Sequence, residues 1–141
     1  MNSNLAIEAE YADIILALLQ KPFNINSITK LVFMSFCVHN ENRINIYNNR
    51  KKDLIDLFIS NINIRLESHT NEISIIFELL NKLNKSKWII IDKDYIVLKK
   101  EVVRNVENEF LKYCIRKKPN PIEEVNKLDA KAFMEEVLRY V

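Results

Sequence analysis

KWIIIDKDYIVLKKE, residues 87–101, is where the chain changes period. Upstream of it, apolar residues recur every three or four positions, as on an amphipathic helix. From Trp88 to Ile91 the run is wholly apolar, and Tyr95 to Leu98 follow across the polar corner Asp92-Lys93-Asp94. β-Branched and aromatic residues on both sides of a short polar turn predict an antiparallel hairpin between about Lys87 and Lys99. The chain contains no glycine. The positive-φ position that tight hairpin turns favour must therefore be filled by another residue, and Asp is expected there because it tolerates left-handed backbone.

Working back from the hairpin, Thr70 opens a helix that runs to about Leu83, with Ile73, Ile76, Phe77, Leu80 and Leu83 as its core face. Ile75 and Leu79 lie off that face, and either pack under a neighbouring element or meet a partner. A helix capped by Asn48 or Asn49 turns Leu54, Leu57 and Phe58 inward; Arg50, Lys51 and Lys52 begin it, where the helix dipole disfavours cations. The segment from Ser27 to His39 is apolar nearly all round between Leu31 and Val38, so it is expected as the buried central helix. The first helix spans about Leu5 to Leu19, capped by Ser3 or Asn4, with Ala12, Ile15, Leu16 and Leu19 as its stripe and Pro22 beyond its end. Without glycine, Asn24, Asn40, Asn61 and Asn84 are the expected left-handed C-caps.

Downstream, Val103, Val106, Phe110 and Tyr113 or Cys114 mark a helix from about Glu101 to Ile115. Arg116-Lys117-Lys118-Pro119-Asn120-Pro121 reads as a linker, and Asn120-Pro121 with Glu123 as a helix start. Asp129 to Val141 forms a last amphipathic helix with Ala130, Phe133, Met134, Val137, Leu138 and Val141 on one side. The expected organisation is residues 1–118 as one domain and 119–141 as linker and C-terminal helix. Phe133, Met134, Val137 and Leu138 pack either on their own domain or on a partner. The partner is the expectation, which the Pro119-Asn120-Pro121 joint would permit by letting the helix swing outward.

The 141 residues suffice for a core without staples, and 48% apolar with 28% charged residues is ordinary globular composition. Cys37 and Cys114 sit in apolar helical patterns, as reduced buried thiols of a cytoplasmic protein do. Met1 to Asn4 are polar and uncharged, unlike the start of a secretory signal. The run Leu31–Val38 is too short to span a bilayer, so no membrane association is expected. A chain without glycine has no phosphate-cradling loop, dinucleotide fingerprint or glycine-flanked nucleophile elbow. His39 and His69 are the only histidines; Cys37 and His39, two apart, face different sides of one helix and make no ligand pair. No catalytic residue, metal, cofactor or small-molecule substrate is therefore expected.

Helices followed by a helix from Thr70 and then a lysine-bearing hairpin give the order of a winged helix. The fold class expected is mainly α: a winged-helix-like helical domain with one β-hairpin and an appended C-terminal helix. The net charge is only +2, but residues 82–100 hold six lysines against two aspartates. Lys85, Lys87, Lys93, Lys99 and Lys100 are the residues expected to touch nucleic acid, weakly and without sequence preference. The outward face of the Thr70 helix carries Asn71, Ser74, Glu78, Asn81 and Lys82, with Glu72 to one side. It holds no arginine to read guanine, and its glutamates repel phosphate, so it is a poor base reader.

Several short patterns carry a resemblance: AEYADIILALL near the start, LVFMSFCVH ending in His39, Arg50 ahead of DLIDLF, RLESHTNEISIIFELLNKL, and KWIIIDKDYIVL. Over residues of about 5 to 100 the chain resembles the small middle component of ABC-three-component systems, including the middle subunit of Lamassu-type antiphage defence. Where that family places glycine, this chain has Asn84 and Asp92-Lys93-Asp94. The resemblance implies a non-catalytic adaptor between an SMC-like ABC ATPase and an effector subunit, often a nuclease, with ATP chemistry left to the partner. The alternative is a free-standing winged-helix DNA-binding regulator; an enzyme ranks last.

Overall fold

The computed structural model describes residues 3–40, 70–99, 106–116 and 121–139. The helix expected after Asn48, with Arg50, Lys51, Lys52, Leu54, Leu57 and Phe58, lies outside the described residues, as do Asn61, His69, Lys100, Val103 and the 117–120 part of the linker. The described elements follow in the order α1 (Ser3–Leu19), α2 (Ile28–His39), α3 (Thr70–Lys85), β1 (Ile89–Asp92), β2 (Tyr95–Leu98), α4 (Glu109–Arg116), α5 (Pro121–Asn126) and α6 (Ala130–Arg139). The protein is mainly helical, with one antiparallel hairpin and a C-terminal helix, as the change of period at Trp88 predicts.

α1, α2 and α3 pack against one another around α2, whose residues Lys30 to Val38 are all buried except the half-buried Phe33. Ser27 caps α2, its hydroxyl accepting from the Lys30 N–H. α1 already includes Ser3 and Asn4, so neither is its cap. Its burial is wider than a stripe: Ile14 to Leu19 are buried without interruption because the helix is covered on several sides.

α3 is rotated relative to the face predicted for it. The buried positions are Glu72, Ile75, Ile76, Leu79 and Leu80, with Ile73 and Leu83 half-buried and Phe77 52% exposed. Positions 72, 75, 76, 79 and 80 are as good a helical stripe as 73, 76, 77, 80 and 83. The core takes the first because α1 and α2 supply polar partners for Glu72. Ile75 and Leu79 thus lie in the core and pack under neighbouring helices, so they offer no free surface to a partner.

The left-handed positions differ from those expected. Asn24 has φ 50°, as predicted. Asn40 instead has φ −100° and closes α2 with its side chain, Nδ2 donating to the Phe36 carbonyl at 3.0 Å. Asn84 stays inside α3. Lys87 takes φ 65° in its place, its N–H donating to the Asn84 carbonyl (3.1 Å) while the Trp88 N–H donates to Leu83 (2.9 Å). This is a Schellman closure with lysine where glycine is usual, and Trp88 and Leu83 both pack on the core beneath it.

The hairpin pairs Ile89 with Leu98, Ile90 with Val97, Ile91 with Ile96 and Asp92 with Tyr95. Ile89, Ile91, Ile96 and Leu98 face the core; Ile90, Asp92, Tyr95 and Val97 face out. At the turn, Lys93 and not an aspartate has positive φ, 57°. Asp94 is otherwise engaged, because its carboxylate is drawn onto the start of α2. An isolated antiparallel bridge between Ser27 and Tyr95 adds the α1–α2 connection to the outer side of β2.

α4 begins later than predicted, at Glu109. Asn108 caps it, accepting from the Leu111 N–H at 3.0 Å, and donates its own N–H to Asp13 Oδ2 at 3.2 Å. The region after residue 118 shares the common core and does not stand apart from residues 1–118: Ile122, Val125, Phe133 and Val137 are buried in it. The Phe33 and Phe133 rings lie 6.2 Å apart. Asn126 Nδ2 donates to the Phe23 carbonyl (2.8 Å), and the buried Lys30 donates to the Asn126 carbonyl (3.3 Å). Asp129 caps α6 by accepting from the Ala132 N–H.

Candidate functional site

Two places in the fold bear chemistry, the hairpin and a cleft beside His39. The hairpin is positioned by Asp94. Its carboxylate accepts from the Ser27 hydroxyl (2.5 Å), the Thr29 N–H (2.9 Å) and the Thr29 hydroxyl (2.7 Å), and its carbonyl accepts from the Ile28 N–H (2.7 Å). Burial pushes this carboxyl up. The hydrogen bonds from Ser27 and Thr29, aided by the Lys30 charge, outweigh that and hold it below the usual carboxylate range. The turn is thereby fixed to the N-terminus of the central helix, where a negative charge is favoured.

Fixed in this way, the hairpin turns an apolar surface outward. Ile90 and Val97 are directly opposed and exposed, and the exposed Tyr95 follows Val97 on the same face. Of the lysines expected to contact nucleic acid, Lys85, Lys87, Lys93 and Lys99 are all exposed. Lys85, Lys87 and Lys99 gather at the base of the hairpin, since the Lys99 N–H donates to the Trp88 carbonyl at 2.8 Å. Lys93 is at the tip, a strand length away. They bracket the sheet and do not form one continuous cationic patch. Lys82 is held by Glu8 of α1 at 2.7 Å.

Phe133 is 1% exposed and Val137 is buried with it, while Met134 is half-buried against the core. These residues pack on their own chain, against the expectation of a partner. Leu138 alone of the four, at 61%, stands out from α6.

The cleft brings together residues that the sequence did not single out. Tyr11 on α1 donates its hydroxyl to Glu72 Oε1 of α3 at 2.5 Å, and Asn40 Nδ2 donates to the same oxygen at 3.2 Å. Glu72 is 4% exposed and so does not stand on a phosphate-facing surface. Burial, then the adjoining Glu72 carboxylate, push the Tyr11 phenol far above its ordinary value. The His39 ring stacks on Tyr11 with centroids 4.4 Å apart. Its Nε2 lies 2.5 Å from Glu10 Oε2. Its Nδ1 lies 3.0 Å from Glu72 Oε1, close enough for charge attraction but off the line of a hydrogen bond. His39 opens on a cleft of about 400 Å³ lined also by Ala9, Glu10, Asp13, Glu107 and Asn108.

The network ties α1, α2 and α3 together, and the carboxylates Glu10, Asp13 and Glu107 line the cleft beside it. Among the described residues the lining has no hydroxyl or thiol nucleophile, and Cys37 is buried away from solvent. Among the described residues no group of three or more His, Cys, Asp or Glu side chains is arranged to hold a metal ion. No described helix is long and apolar enough to cross a membrane. The signal for this cluster was the pair Ile75 and Leu79: if they face inward, Glu72, three residues before Ile75, must face inward with them. No protein-family model matches the chain, and no curated protein or solved structure is significantly similar to it.

Proposed function

We propose that the protein is a non-catalytic adaptor that binds other proteins through its hairpin side, with an SMC-like ABC ATPase and an effector subunit as the partners implied by its resemblance to middle components of ABC-three-component systems. One observation supports this reading above the alternatives. Where a winged-helix DNA reader presents cations to phosphate, this chain presents Phe77 on α3 and the contiguous group Ile90, Tyr95 and Val97 on the hairpin. Single exposed apolar residues are ordinary; a contiguous apolar face on a ribbon supports the reading of a protein-contact surface. The lysines at the two ends of the hairpin add steering and weak, salt-sensitive contact with nucleic acid.

The test is co-purification from the native host with tagged chain. An ATPase and a second subunit are expected to accompany the wild type and to be lost from Val97→Lys and Tyr95→Ser at unchanged melting temperature. Recovery of no ATPase, together with tight binding to one duplex sequence at physiological salt, would favour the DNA-binding regulator.

A further inference from the structure

Strand alternation puts Ile90 and Asp92 of β1, and Tyr95, Val97 and Lys99 of β2, on the outward face of the hairpin. Ile90 is 47%, Tyr95 52% and Val97 37% exposed, so each of the three has apolar surface left to bury. Charge frames this group. Lys99 continues the β2 row at the base, and Lys85 and Lys87 are exposed where the chain enters β1. Lys93 is exposed at the tip, and Lys87 and Lys93 are roughly 20 Å apart along an extended strand. Asp92 is the one exposed acid of residues 87–99, because the Asp94 carboxylate is turned onto the start of α2.

We propose that this face receives an amphipathic helix of a partner protein, its apolar stripe bounded at both ends by acidic residues. The proposal rests on the adaptor reading and gives the chemistry of the partner. The face of a sheet presents side chains and no main-chain donors or acceptors. A segment laid on it must therefore satisfy its own backbone, as a helix does. A helix covering about 20 Å has roughly 13 residues, so carboxylates in its first and last turns fall over the lysines at the two ends of the hairpin. A second copy of this chain fits less well. Laid face to face, its Lys93 meets either the Lys85, Lys87 and Lys99 group or the other Lys93, and like charges across an interface are unfavourable.

The probe is a hydrocarbon-stapled peptide of about 16 residues, with leucines along one face and a pair of glutamates at each end, added to the full-length protein. The staple holds a helix that is too short to be stable alone in water. Its twin carries lysines in place of the glutamates. In NMR spectra of methyl-labelled protein, the Ile90 and Val97 signals are expected to shift saturably with the glutamate peptide. The lysine twin should bind about tenfold or more weakly at low salt. Val97→Lys places a charge in the apolar contact and should weaken the glutamate peptide by about tenfold or more. Where Val97→Lys lowers the melting temperature, Tyr95→Ser serves in its place. Lys99→Glu combined with Lys93→Gly should narrow or reverse the preference between the two peptides without loss of melting temperature.

Several results would overturn the proposal: no shift of Ile90 and Val97 at about 1 mM peptide, equal binding of the two peptides, or a preference that the lysine substitutions leave unchanged. So would methyl shifts that grow with protein concentration alone, which would give the face to a second copy. Duplex DNA or anionic lipid vesicles displacing the glutamate peptide at physiological salt would give it to phosphate, and the proposal would fall. If native partners accompany the wild type and are lost from Val97→Lys while neither peptide binds, the helical mode fails and the adaptor reading stands. If no partner accompanies the wild type but the glutamate peptide binds, the adaptor reading fails and the docking face remains.

Discussion

Asp94 is where the hairpin and the helical body depend on each other most directly, and replacing it tests that dependence. Its carboxylate accepts three hydrogen bonds from Ser27 and Thr29. Bonds to a charged acceptor contribute about 1.5–3 kcal/mol each when buried, and less at a half-buried site such as this one. A helix N-cap contributes about 1 kcal/mol and the dipole interaction roughly 0.3–1 kcal/mol. Water can reach part of what is vacated, so Asp94→Ala should cost about 2–3 kcal/mol. That corresponds to a melting temperature lower by roughly 5–10 °C for a chain of this length. Asp94→Asn keeps the shape and most acceptors but not the charge, and should cost about 1 kcal/mol.

The pH dependence has a definite sign. The folded-state carboxyl sits below its unfolded value. Its contribution is therefore fully present above the unfolded pKa of about 4 and is lost as pH falls through the lower folded value. Urea unfolding followed by circular dichroism, at neutral pH and in acid, measures both effects. The gap between wild type and Asp94→Asn should narrow as the pH falls through the lower folded value. An Asp94→Ala protein within about 0.5 kcal/mol of wild type, or a gap that persists in acid, would refute the claim that the turn is anchored through this charge.

Lys93 holds a positive φ in a two-residue turn, where a side chain costs about 1 kcal/mol or more; Lys93→Gly is expected to raise the melting temperature by a few degrees, read by calorimetry. Tyr11 should remain un-ionised in the folded protein, because its phenol is raised by burial and by Glu72. Its contribution is present below the unfolded pKa of about 10 and is lost as pH rises, so ultraviolet titration should show fewer phenols ionising before alkaline unfolding than after it. For α6, Phe133→Ala should cost about 3–4 kcal/mol of stability, while Leu138→Asp changes it by less than about 0.5 kcal/mol. Equal effects of the two substitutions in thermal melts of the isolated protein would contradict the packing of this helix on its own chain.

Much of the fold was legible because periodicity is a strong signal where an element has one apolar face. The hairpin is bounded by the switch from a spacing of three or four to a continuous β-branched run, and α2 by the Ser27 cap and the apolar run from Leu31 to Val38. α3 shows where the signal fails. Thr70 to Leu83 holds two overlapping apolar stripes, and hydrophobicity favoured the one containing Phe77. The core selected the other because Tyr11 and Asn40, distant in sequence, satisfy Glu72. No local pattern can report a partner 61 residues away. The C-terminal helix was misread for a similar reason. Pro119 and Pro121 suggest a joint, but Lys30, which donates to the Asn126 main-chain carbonyl, and Phe23, whose carbonyl accepts from the Asn126 side-chain amide, fasten the segment that follows.

The same logic explains how a chain without glycine keeps a tight hairpin. A type of turn that normally takes glycine at its first central position is held here by what surrounds it. Lys93 adopts the unfavourable φ, and Asp94 beside it is bound at four points to the start of α2. Strain of this size persists only where neighbouring contacts over-determine the conformation. Rigidity at the turn then fixes the direction of β1, whose apolar inner face is set into the core through Ile89. Relaxing the turn should therefore loosen the ribbon beyond the turn itself. If Asp94→Asn loosens the hairpin without unfolding the protein, the ladder amides of Ile90 and Val97 should exchange with solvent faster than in the wild type, even though residue 94 lies outside both strands; unchanged exchange there would show that the ribbon does not depend on its turn.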